Sequence, residues 1–335
     1  MKWTTAFTLL CCITFAGCSS IGPVEKDVSA EFNVVPQFQT YDQGKVAFYE
    51  QGEGEKSVVF MHGIPTYSYL WRNVMSEIAN DKIKAVAFDL PGYGLSDAPK
   101  SGDYSYESLY SISAQWLDAR PEERFTLVVT DLGSLIGLQW AMKNPHRVEA
   151  IVLLEAAFMP ADDFLSEATF IQKRMFSMMK YNWISNYMML NKPRMQSMAL
   201  DMFTSRKITK QEKQHYLKPY ESKDKREVLR YGPGPASMIK SFKRIDGRGL
   251  AATMDRNALA LTQSDIPILL LKADPGALVR KAAIDYAKEN LKKLTIKDIG
   301  AGIHFVAEDQ PTAIAAAISD WLMASPNEQA NHTSE

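Results

Sequence analysis

The sequence predicts an α/β protein, in which a mostly parallel β-sheet carries helices on both faces and holds one inserted helical segment. From Lys45 onward, short β-branched runs alternate with amphipathic helices, and between about Pro160 and Ser264 the β signal disappears. Such alternation is typical of parallel sheets covered by helices. The chain has 335 residues, 46% of them hydrophobic and 23% charged, which suffices to bury one large core.

Seven strands and four core helices are predicted along the chain. The strands are expected at residues 46–49, 57–61, 85–89, 125–130, 150–155, 268–272 and 294–298. The helices are expected at residues 106–119, 133–143, 278–291 and 313–323. The last helix follows Asp309-Gln310-Pro311, a typical helix start.

The inserted segment, residues 160–264, is predicted to form a helical cap between the strands at 150–155 and 268–272. Its helical pattern is interrupted at Pro193, at Pro219 and at the run Gly232-Pro233-Gly234-Pro235. Residues 34–159 and 265–324 then form the core of the protein. The polar tail, residues 325–335, is expected to be disordered.

The N-terminus is predicted to be an export signal with a lipid attachment site. Met1-Lys2 precedes an apolar run at residues 3–15, which is short for a membrane span and typical of a signal peptide. The following Phe15-Ala16-Gly17-Cys18 resembles the bacterial lipobox, in which the cysteine is acylated and becomes the new N-terminus. We therefore expect a signal peptide at 1–17, lipidation at Cys18 and a polar tether at 18–33.

The predicted location is the bacterial cell envelope, where the lipid anchor would hold the protein in a membrane. Ser19 and Ser20 follow the cysteine, which by resemblance to sorting signals favours the outer membrane, facing the periplasm. Several acyl chains anchor stably where one binds only marginally. The alternative is an ordinary secretory signal in which Cys18 stands by chance.

Composition excludes several classes of function. The net charge is -1 with both signs dispersed, so nucleic acid is not an expected partner. The three cysteines, at positions 11, 12 and 18, all lie in the predicted signal segment, which leaves the mature domain without a thiol for a disulfide or for catalysis. The five histidines are too scattered to suggest a metal site, and no cofactor is implied.

A nucleophilic carboxylate is predicted at Asp131. The motif Asp131-Leu132-Gly133-Ser134 lies between a strand and a helix, where parallel sheets collect reactive groups. It resembles the nucleophile elbow of hydrolases, with Asp in place of the usual Ser. A carboxylate can displace a leaving group at an sp³ carbon and form an alkyl ester. A simpler role, capping the helix, also fits Asp131, but the accompanying motifs favour the nucleophile.

Two backbone N–H groups are predicted to form an oxyanion hole. Met61-His62-Gly63-Ile64-Pro65 follows the strand at 57–61 and resembles the His-Gly loop that supplies one of these donors. We assign one donor to the N–H of Ile64 and the other to the N–H of Leu132, the residue after the nucleophile.

His304 is the predicted general base, and its orienting acid has two candidates. Gly302-Ile303-His304-Phe305 places an imidazole on a loop after the last strand. Glu155 ends the strand at 150–155, an unusual place for a solvated charge. Asp274 follows the strand at 268–272, but it precedes Pro275-Gly276 and also fits a turn. We prefer Glu155 and keep Asp274 as the alternative.

Together these motifs resemble the haloalkane dehalogenases, in the branch that carries its acid as Glu after the sixth strand. The likeness runs from about Tyr41 to Leu322. It includes His62-Gly63-Ile64-Pro65-Thr66 with Ser68-Tyr69-Leu70-Trp71-Arg72, Asp131-Leu132-Gly133-Ser134, Glu155, His215-Tyr216 with Pro219-Tyr220, Pro275-Gly276, and His304-Phe305 with Glu308-Asp309. The resemblance implies an α/β-hydrolase fold with an eight-stranded sheet, a cap after the sixth strand and a small to medium apolar substrate.

The sequence departs from this family at the residues that hold the leaving halide. The resemblance implies an Asn where this chain has Ile64 and a Trp where it has Leu132, and neither side chain present can donate a hydrogen bond. An epoxide is the alternative substrate, since cap tyrosines could protonate its oxygen, and five are available at positions 181, 187, 216, 220 and 231.

Two further hypotheses stay open. The first is a lipid-anchored binding or sensing protein that kept the fold and lost the chemistry. The second is an esterase that uses Ser134.

Overall fold

The protein is described here from a computed structural model, which covers residues 22–25, 28–167, 181–191, 193–233 and 249–324. The predicted signal peptide at 1–17, the acylation site at Cys18 and the predicted disordered tail at 325–335 lie outside the described residues. In the described ranges, no helix combines the length and apolarity needed to cross a membrane.

One eight-stranded sheet forms the centre of the molecule, in the order β1-β2-β4-β3-β5-β6-β7-β8. The strand β2 is antiparallel to β1 and β4, and the other neighbours are parallel. The strands are β1 Gln37–Tyr41, β2 Gly44–Gln51, β3 Lys56–Met61, β4 Ile83–Phe88, β5 Phe125–Thr130, β6 Val148–Ala156, β7 Ile268–Pro275 and β8 Leu294–Gly302. The predicted α/β-hydrolase fold with a mostly parallel sheet is confirmed.

The strand β1 has no counterpart among the seven predicted runs. Its sequence, QFQTY, is polar at alternate positions and largely exposed, because β1 pairs only with β2 at the edge of the sheet. The central strand β5 is buried at every position, which is expected when helices cover both faces of a parallel sheet.

Twelve α-helices lie within the described residues, and they pack in two groups, on the sheet and in the cap. They are α1 Arg72–Ile78, α2 Tyr106–Asp118, α3 Asp131–Lys143, α4 Ala161–Ser166, α5 Asn182–Met189, α6 Arg194–Phe203, α7 Lys210–Leu217, α8 Lys223–Tyr231, α9 Leu250–Gln263, α10 Lys281–Asn290, α11 Val306–Asp309 and α12 Pro311–Met323. The helix α1 packs against α12, whereas α3 contacts α2 and α9. Aromatic stacking joins helices to the sheet, with ring centroids 4.1 Å apart for Phe88 and Trp116.

The predicted cap segment, residues 160–264, includes a helix that packs beside the core. This helix, α9, lies along α3, and the side-chain amide of Asn257 donates to the carbonyl of Leu135 at 3.0 Å. The inner face of α9 is buried, and the helix contacts both α3 and α4. Sequence pattern alone could not separate it from the cap, because both are helical.

The predicted tether at 18–33 is packed on the core in its described part. The Tyr69 hydroxyl donates to the carbonyl of Ala30 at 2.6 Å, and the Arg72 guanidinium donates to the carbonyl of Ser29 at 2.7 Å. The ring of Phe32 lies 4.7 Å from that of Tyr49. The described residues 28–33 of the predicted tether thus lie on the core, and the carbonyls of Ser29 and Ala30 accept hydrogen bonds from core side chains.

Candidate active site

Asp131 stands on a sharp turn between β5 and α3. Its φ of 44° is in the left-handed region, which an Asp seldom adopts and which tight tertiary contacts must hold. A Cβ added to Gly63 would lie 2.2 Å from the Cβ of Asp131, and one added to Gly133 would lie 2.5 Å from the carbonyl oxygen of His62. The two loops approach this closely only because both positions are glycine.

The carboxylate of Asp131 is held by the backbone N–H groups predicted as an oxyanion hole. Ile64 N–H donates to Asp131 Oδ1 at 2.8 Å, and Leu132 N–H also bonds the carboxylate. Burial raises the pKa of Asp131, but the hydrogen bonds from His304, Ile64 and Leu132 outweigh it and leave the pKa below the usual 3.8. The side chain keeps 25% of its surface exposed, so an ionised oxygen remains accessible.

The imidazole of His304 lies between two carboxylates. Its Nε2 is 3.5 Å from Asp131 Oδ2, and its Nδ1 is 3.1 Å from Glu155 Oε2. Burial lowers the pKa of His304, but the hydrogen bonds and charges of Asp131 and Glu155 have a larger, opposite effect. The pKa therefore rises from the usual 6.5 to about 9. The His304 backbone N–H donates to the carbonyl of Phe203 in the cap at 3.0 Å, which fixes this loop.

Glu155 ends β6 inside a shell of backbone amides. Its carboxylate accepts hydrogen bonds from the N–H groups of Ala277 at 3.0 Å, Leu278 at 2.8 Å and Val279 at 3.2 Å. The side chain is 1% exposed, and these three donors replace the water that the charge has lost. Gly276, with φ 63°, lets the loop wrap around the carboxylate. Sequence reasoning missed these amides, for which only the Pro275-Gly276 turn is a signal.

The structure brings Asp131, His304 and Glu155 together and leaves Asp274 apart. Asp274 is exposed near the end of β7, and the Nδ1 hydrogen bond of His304 goes to Glu155. Ser134 is buried, with its hydroxyl donating to the Asp131 carbonyl at 2.5 Å and accepting from Ala157 N–H at 2.9 Å. These bonds occupy the Ser134 hydroxyl, which gives no support to the Ser134 esterase hypothesis.

His62 has a structural role beside the site. Leu90 N–H donates to its Nε2 at 2.8 Å, and its Nδ1 lies 2.8 Å from the carbonyl oxygen of Gly63. Burial lowers the pKa of His62 to about 4, so the imidazole is neutral at pH 7. The ring therefore fixes the loop that carries Ile64.

The cap tyrosines are not placed as acids for an epoxide oxygen. Tyr216 and Tyr220 are buried, and their hydroxyls donate to Glu308 Oε1 and to the carbonyl of Pro65. Tyr181, Tyr187 and Tyr231 are about half exposed, on the surface. The support that sequence reasoning drew from these residues for an epoxide substrate is therefore removed.

A buried ion cluster locks the cap to the core beside His304. Arg72 of α1 pairs with Glu308 of α11 at 2.5 Å and with Glu212 of α7 at 2.8 Å. Arg206 also pairs with both glutamates, and Tyr216 donates to Glu308. The four charged residues are at least nine-tenths buried in their side chains. Sequence reasoning did not identify this cluster, because its members are as far as 236 positions apart.

Comparison with known proteins identifies the class of the fold and site. A family model described as the alpha/beta hydrolase fold matches residues 56–311. A haloalkane dehalogenase of Agrobacterium fabrum is 30% identical over 275 residues, covering 82% of this chain and 86% of that protein. A haloalkane dehalogenase of Sphingobium indicum is 31% identical over 294 residues, covering 83% of this chain and 92% of that protein.

Solved structures of haloalkane dehalogenases superpose on this chain over most of its length. The haloalkane dehalogenase DatA from Agrobacterium tumefaciens C58 superposes with a TM-score of 0.75 at 27% identity, covering 88% of this chain and 97% of that one. The haloalkane dehalogenase DbeA from Bradyrhizobium elkani USDA94 superposes with a TM-score of 0.75 at 26% identity, covering 87% and 98%. The chain therefore belongs to the α/β-hydrolase fold family and, within it, to the haloalkane dehalogenase-like hydrolases.

Among the described residues, no group of three or more His, Cys, Asp or Glu side chains could hold a metal ion.

Proposed function

We propose that this hydrolase cleaves a small to medium haloalkane through an ester formed at Asp131. The observation that carries the proposal is the line of Asp131, His304 and Glu155, joined by contacts of 3.5 Å and 3.1 Å. In that line an ionised nucleophile, a base and an orienting acid each occupy the position that their role requires.

In the first step, Asp131 Oδ2 attacks the carbon that bears the halogen. A C–O bond forms, and the halide leaves with the bonding electron pair of the C–X bond. The lowered pKa of Asp131 keeps the nucleophile ionised. Its other oxygen, Oδ1, stays hydrogen-bonded to Ile64 N–H and becomes the carbonyl oxygen of the ester.

In the second step, His304 removes a proton from water, and the water oxygen attacks the carbonyl carbon of the ester. The negative charge develops on Oδ1, where the N–H groups of Ile64 and Leu132 already lie. The bond between the carbonyl carbon and Oδ2 then breaks, and the departing oxygen takes the second proton of the attacking water, so that the alcohol leaves with Oδ2. Asp131 returns as a carboxylate that holds an oxygen from water, and His304 keeps the first proton. Glu155 stabilises the imidazolium formed in this step.

The side chains at positions 64 and 132 do not stabilise the leaving halide by hydrogen bonds. Ile64 and Leu132 offer no side-chain donor, and each missing hydrogen bond to a charged group contributes roughly 1.5 to 3 kcal/mol. Losing two would slow the first step by about two to four decades. We therefore expect bromo- and iodoalkanes, whose C–X bonds are weaker, to be better substrates than chloroalkanes.

Isotope transfer tests the covalent intermediate. Multiple turnovers in ¹⁸O-labelled water are expected to place label in the Asp131 carboxylate, detected by mass spectrometry of the peptide that contains it. An unlabelled Asp131 alongside product formation would rule out the ester mechanism. Asp274→Asn is the matched control and should incorporate label as the wild type does.

A substrate screen separates the remaining candidates. Halide release from bromoalkanes supports the proposal, and diol formation from epoxides without halide release contradicts it. Restoring the two donors in an Ile64→Asn, Leu132→Trp variant is expected to raise halide release from chloroalkanes by about two to four decades.

The second candidate, a binding or sensing protein that kept the fold, rests on the apolar side chains of Ile64 and Leu132. It predicts thermal stabilisation of the wild type by haloalkanes with no turnover of any halide, epoxide or ester substrate.

A further inference from the structure

Four aromatic side chains are exposed on the outer surface of the cap. The exposed fractions are 52% for Tyr181, 75% for Trp183, 46% for Tyr187 and 52% for Tyr231. We call these four residues the aromatic cap face. Helix α5, which contains Trp183 and Tyr187, has no charged residue in its sequence NWISNYMM.

The aromatic cap face is continuous across two helices. Trp183 and Tyr187 are four residues apart and share one side of α5. From the neighbouring helix α8, Arg230 donates to Asn186 Oδ1 at 2.8 Å and to Asn182 Oδ1 at 2.9 Å, and its guanidinium lies 5.0 Å from the centre of the Tyr231 ring.

A second arginine flanks the same aromatic surface. The Arg194 guanidinium lies 4.3 Å from the centre of the Tyr187 ring. The surface therefore combines Trp and Tyr rings with the partly exposed Arg194, whereas Arg230 is buried and joins α8 to α5. Trp and Tyr concentrate at the boundary between lipid and water, where the ring is buried and its polar atom stays wet. Arginine can lay its apolar stem on the surface and direct its charge toward lipid phosphates.

The N-terminal part of the described chain lies at the same end of the sheet as the cap. The carbonyl of Pro23 accepts a hydrogen bond from the Gln310 side chain at 2.9 Å, and the same amide nitrogen donates to the carbonyl of Ala301. A Cβ on Gly22 would lie 3.5 Å from the Cβ of Ala301. The described chain thus begins at the carboxyl end of β8, the end of the sheet that also carries His304 and contacts the cap.

Cys18, the predicted site of acylation, precedes Gly22 by four residues. Four residues span at most about 14 Å, so acyl chains on Cys18 would enter a bilayer close to this end of the molecule. An anchor at the opposite end of the sheet would instead hold the cap away from the membrane.

We propose that the aromatic cap face lies against a phospholipid bilayer. The anchored protein would then be oriented with the carboxyl end of its sheet toward the membrane, the phase in which apolar molecules accumulate. This inference rests on the position of residues 22–25 and on the cap surface, and it does not depend on the chemistry at Asp131.

Quenching by brominated lipid tests the contact at one residue. Trp71, Trp116, Trp140 and Trp321 are at most 2% exposed, whereas Trp183 is 75% exposed. Bromine quenches an indole only at short range, so vesicles of brominated phosphatidylcholine report direct contact. With the mature acylated protein, which begins at Cys18, reconstituted in such vesicles, we expect a quenching of roughly a fifth of the emission, since Trp183 is one of the five tryptophans that follow Cys18.

The variant Trp183→Phe isolates the signal, because the four buried tryptophans are common to both proteins. It is expected to lose the quenched component, and equal fractional quenching of the variant and the wild type would overturn the proposal. Leu259→Ser is the matched control. Leu259 is 62% exposed on α9, outside the aromatic cap face, and its replacement should leave the quenching unchanged.

A second measurement does not depend on acylation. In the full chain carrying Cys18→Ser, adding Trp183→Ser and Tyr187→Ser should reduce cosedimentation with phosphatidylcholine–phosphatidylglycerol vesicles severalfold. Unchanged cosedimentation would contradict the proposal. It would also be contradicted if the same two substitutions converted a dimer to a monomer in lipid-free solution, because the face would then be an interface between two copies.

Discussion

His304 carries a proton in the resting site, because two carboxylates flank its imidazole. This protonated state suits ester formation, in which Asp131 must be ionised and no base is needed. Once Asp131 becomes an ester, it loses its charge, and one of the two groups that raise the pKa of His304 is gone. The imidazole can then release its proton and act as the base toward water. The alternation of charge on Asp131 thus sets the order of the two steps.

This coupling predicts the pKa of His304 in a variant. In Asp131→Asn, the pKa of His304 is expected to fall from about 9 toward or below 6.5, because burial remains and one carboxylate is removed. The imidazole signals of His304 in an NMR titration measure this change. Asp274→Asn should leave the pKa near 9. A shift in Asp274→Asn, or none in Asp131→Asn, would contradict the arrangement described here.

The same group has a defined effect on stability. The pKa of His304 is raised above its ordinary value of 6.5, so its contribution to the free energy of unfolding is fully present below about pH 6.5. The contribution is lost as the pH rises through about 9. In His304→Gln this part of the pH dependence should be absent.

At the scale of elements, the sequence identifies the strands that are buried and misses what depends on distant contacts. The strands β3, β5, β6 and β7 are predicted within about three residues, because buried parallel strands are continuous apolar runs. The edge strand β1 is not predicted, because three of its five positions are exposed. Helix α9 was assigned to the cap because a helical pattern does not say which surface the helix covers.

The candidate site, like the fold, could be predicted from the sequence only in part. Asp131, Glu155 and His304 each follow a strand, so their shared edge of the sheet could be predicted from order alone. The backbone amides that hold Glu155 could not be predicted, because no residue type in the sequence marks them. The cluster around Glu308 could not be predicted either. Buried ion pairs between distant positions become visible only when the chain is folded.

The cluster around Glu308 joins three helices, α1, α7 and α11, and its loss should loosen the cap. Glu308→Gln is expected to lower the free energy of unfolding by about 3 to 5 kcal/mol, because Arg72 and Arg206 would remain buried with less compensation. Urea unfolding measures the change. Asp285→Asn breaks an exposed pair with Lys281 and should leave the midpoint unchanged. An equal midpoint for Glu308→Gln would show that the cluster does not hold the cap.

At the scale of the whole molecule, the chain between Gly22 and Phe32 connects the predicted anchor to the core. Glu25 accepts hydrogen bonds from the backbone N–H groups of Thr312 and Ala313, at the start of α12. A carboxylate there also complements the positive end of the helix dipole. The described part of this segment is therefore attached to the body close to residues 304–310, which supports the orientation proposed for the anchored protein.

Acylation at Cys18 is the condition for this orientation, and it can be tested by itself. We expect membrane retention to depend on acyl chains at Cys18, of which two or more are needed for stable anchoring. In a bacterial host, the wild-type chain should incorporate radioactive palmitate and partition into detergent. Cys18→Ser should remain unlabelled, whereas Cys12→Ser, which leaves Cys18 in place, should be labelled like the wild type. Equal labelling of Cys18→Ser and the wild type would show that Cys18 is not the acylated residue. The cap would then have to hold the membrane alone, and the cosedimentation of its Trp183 and Tyr187 variants would measure whether it does.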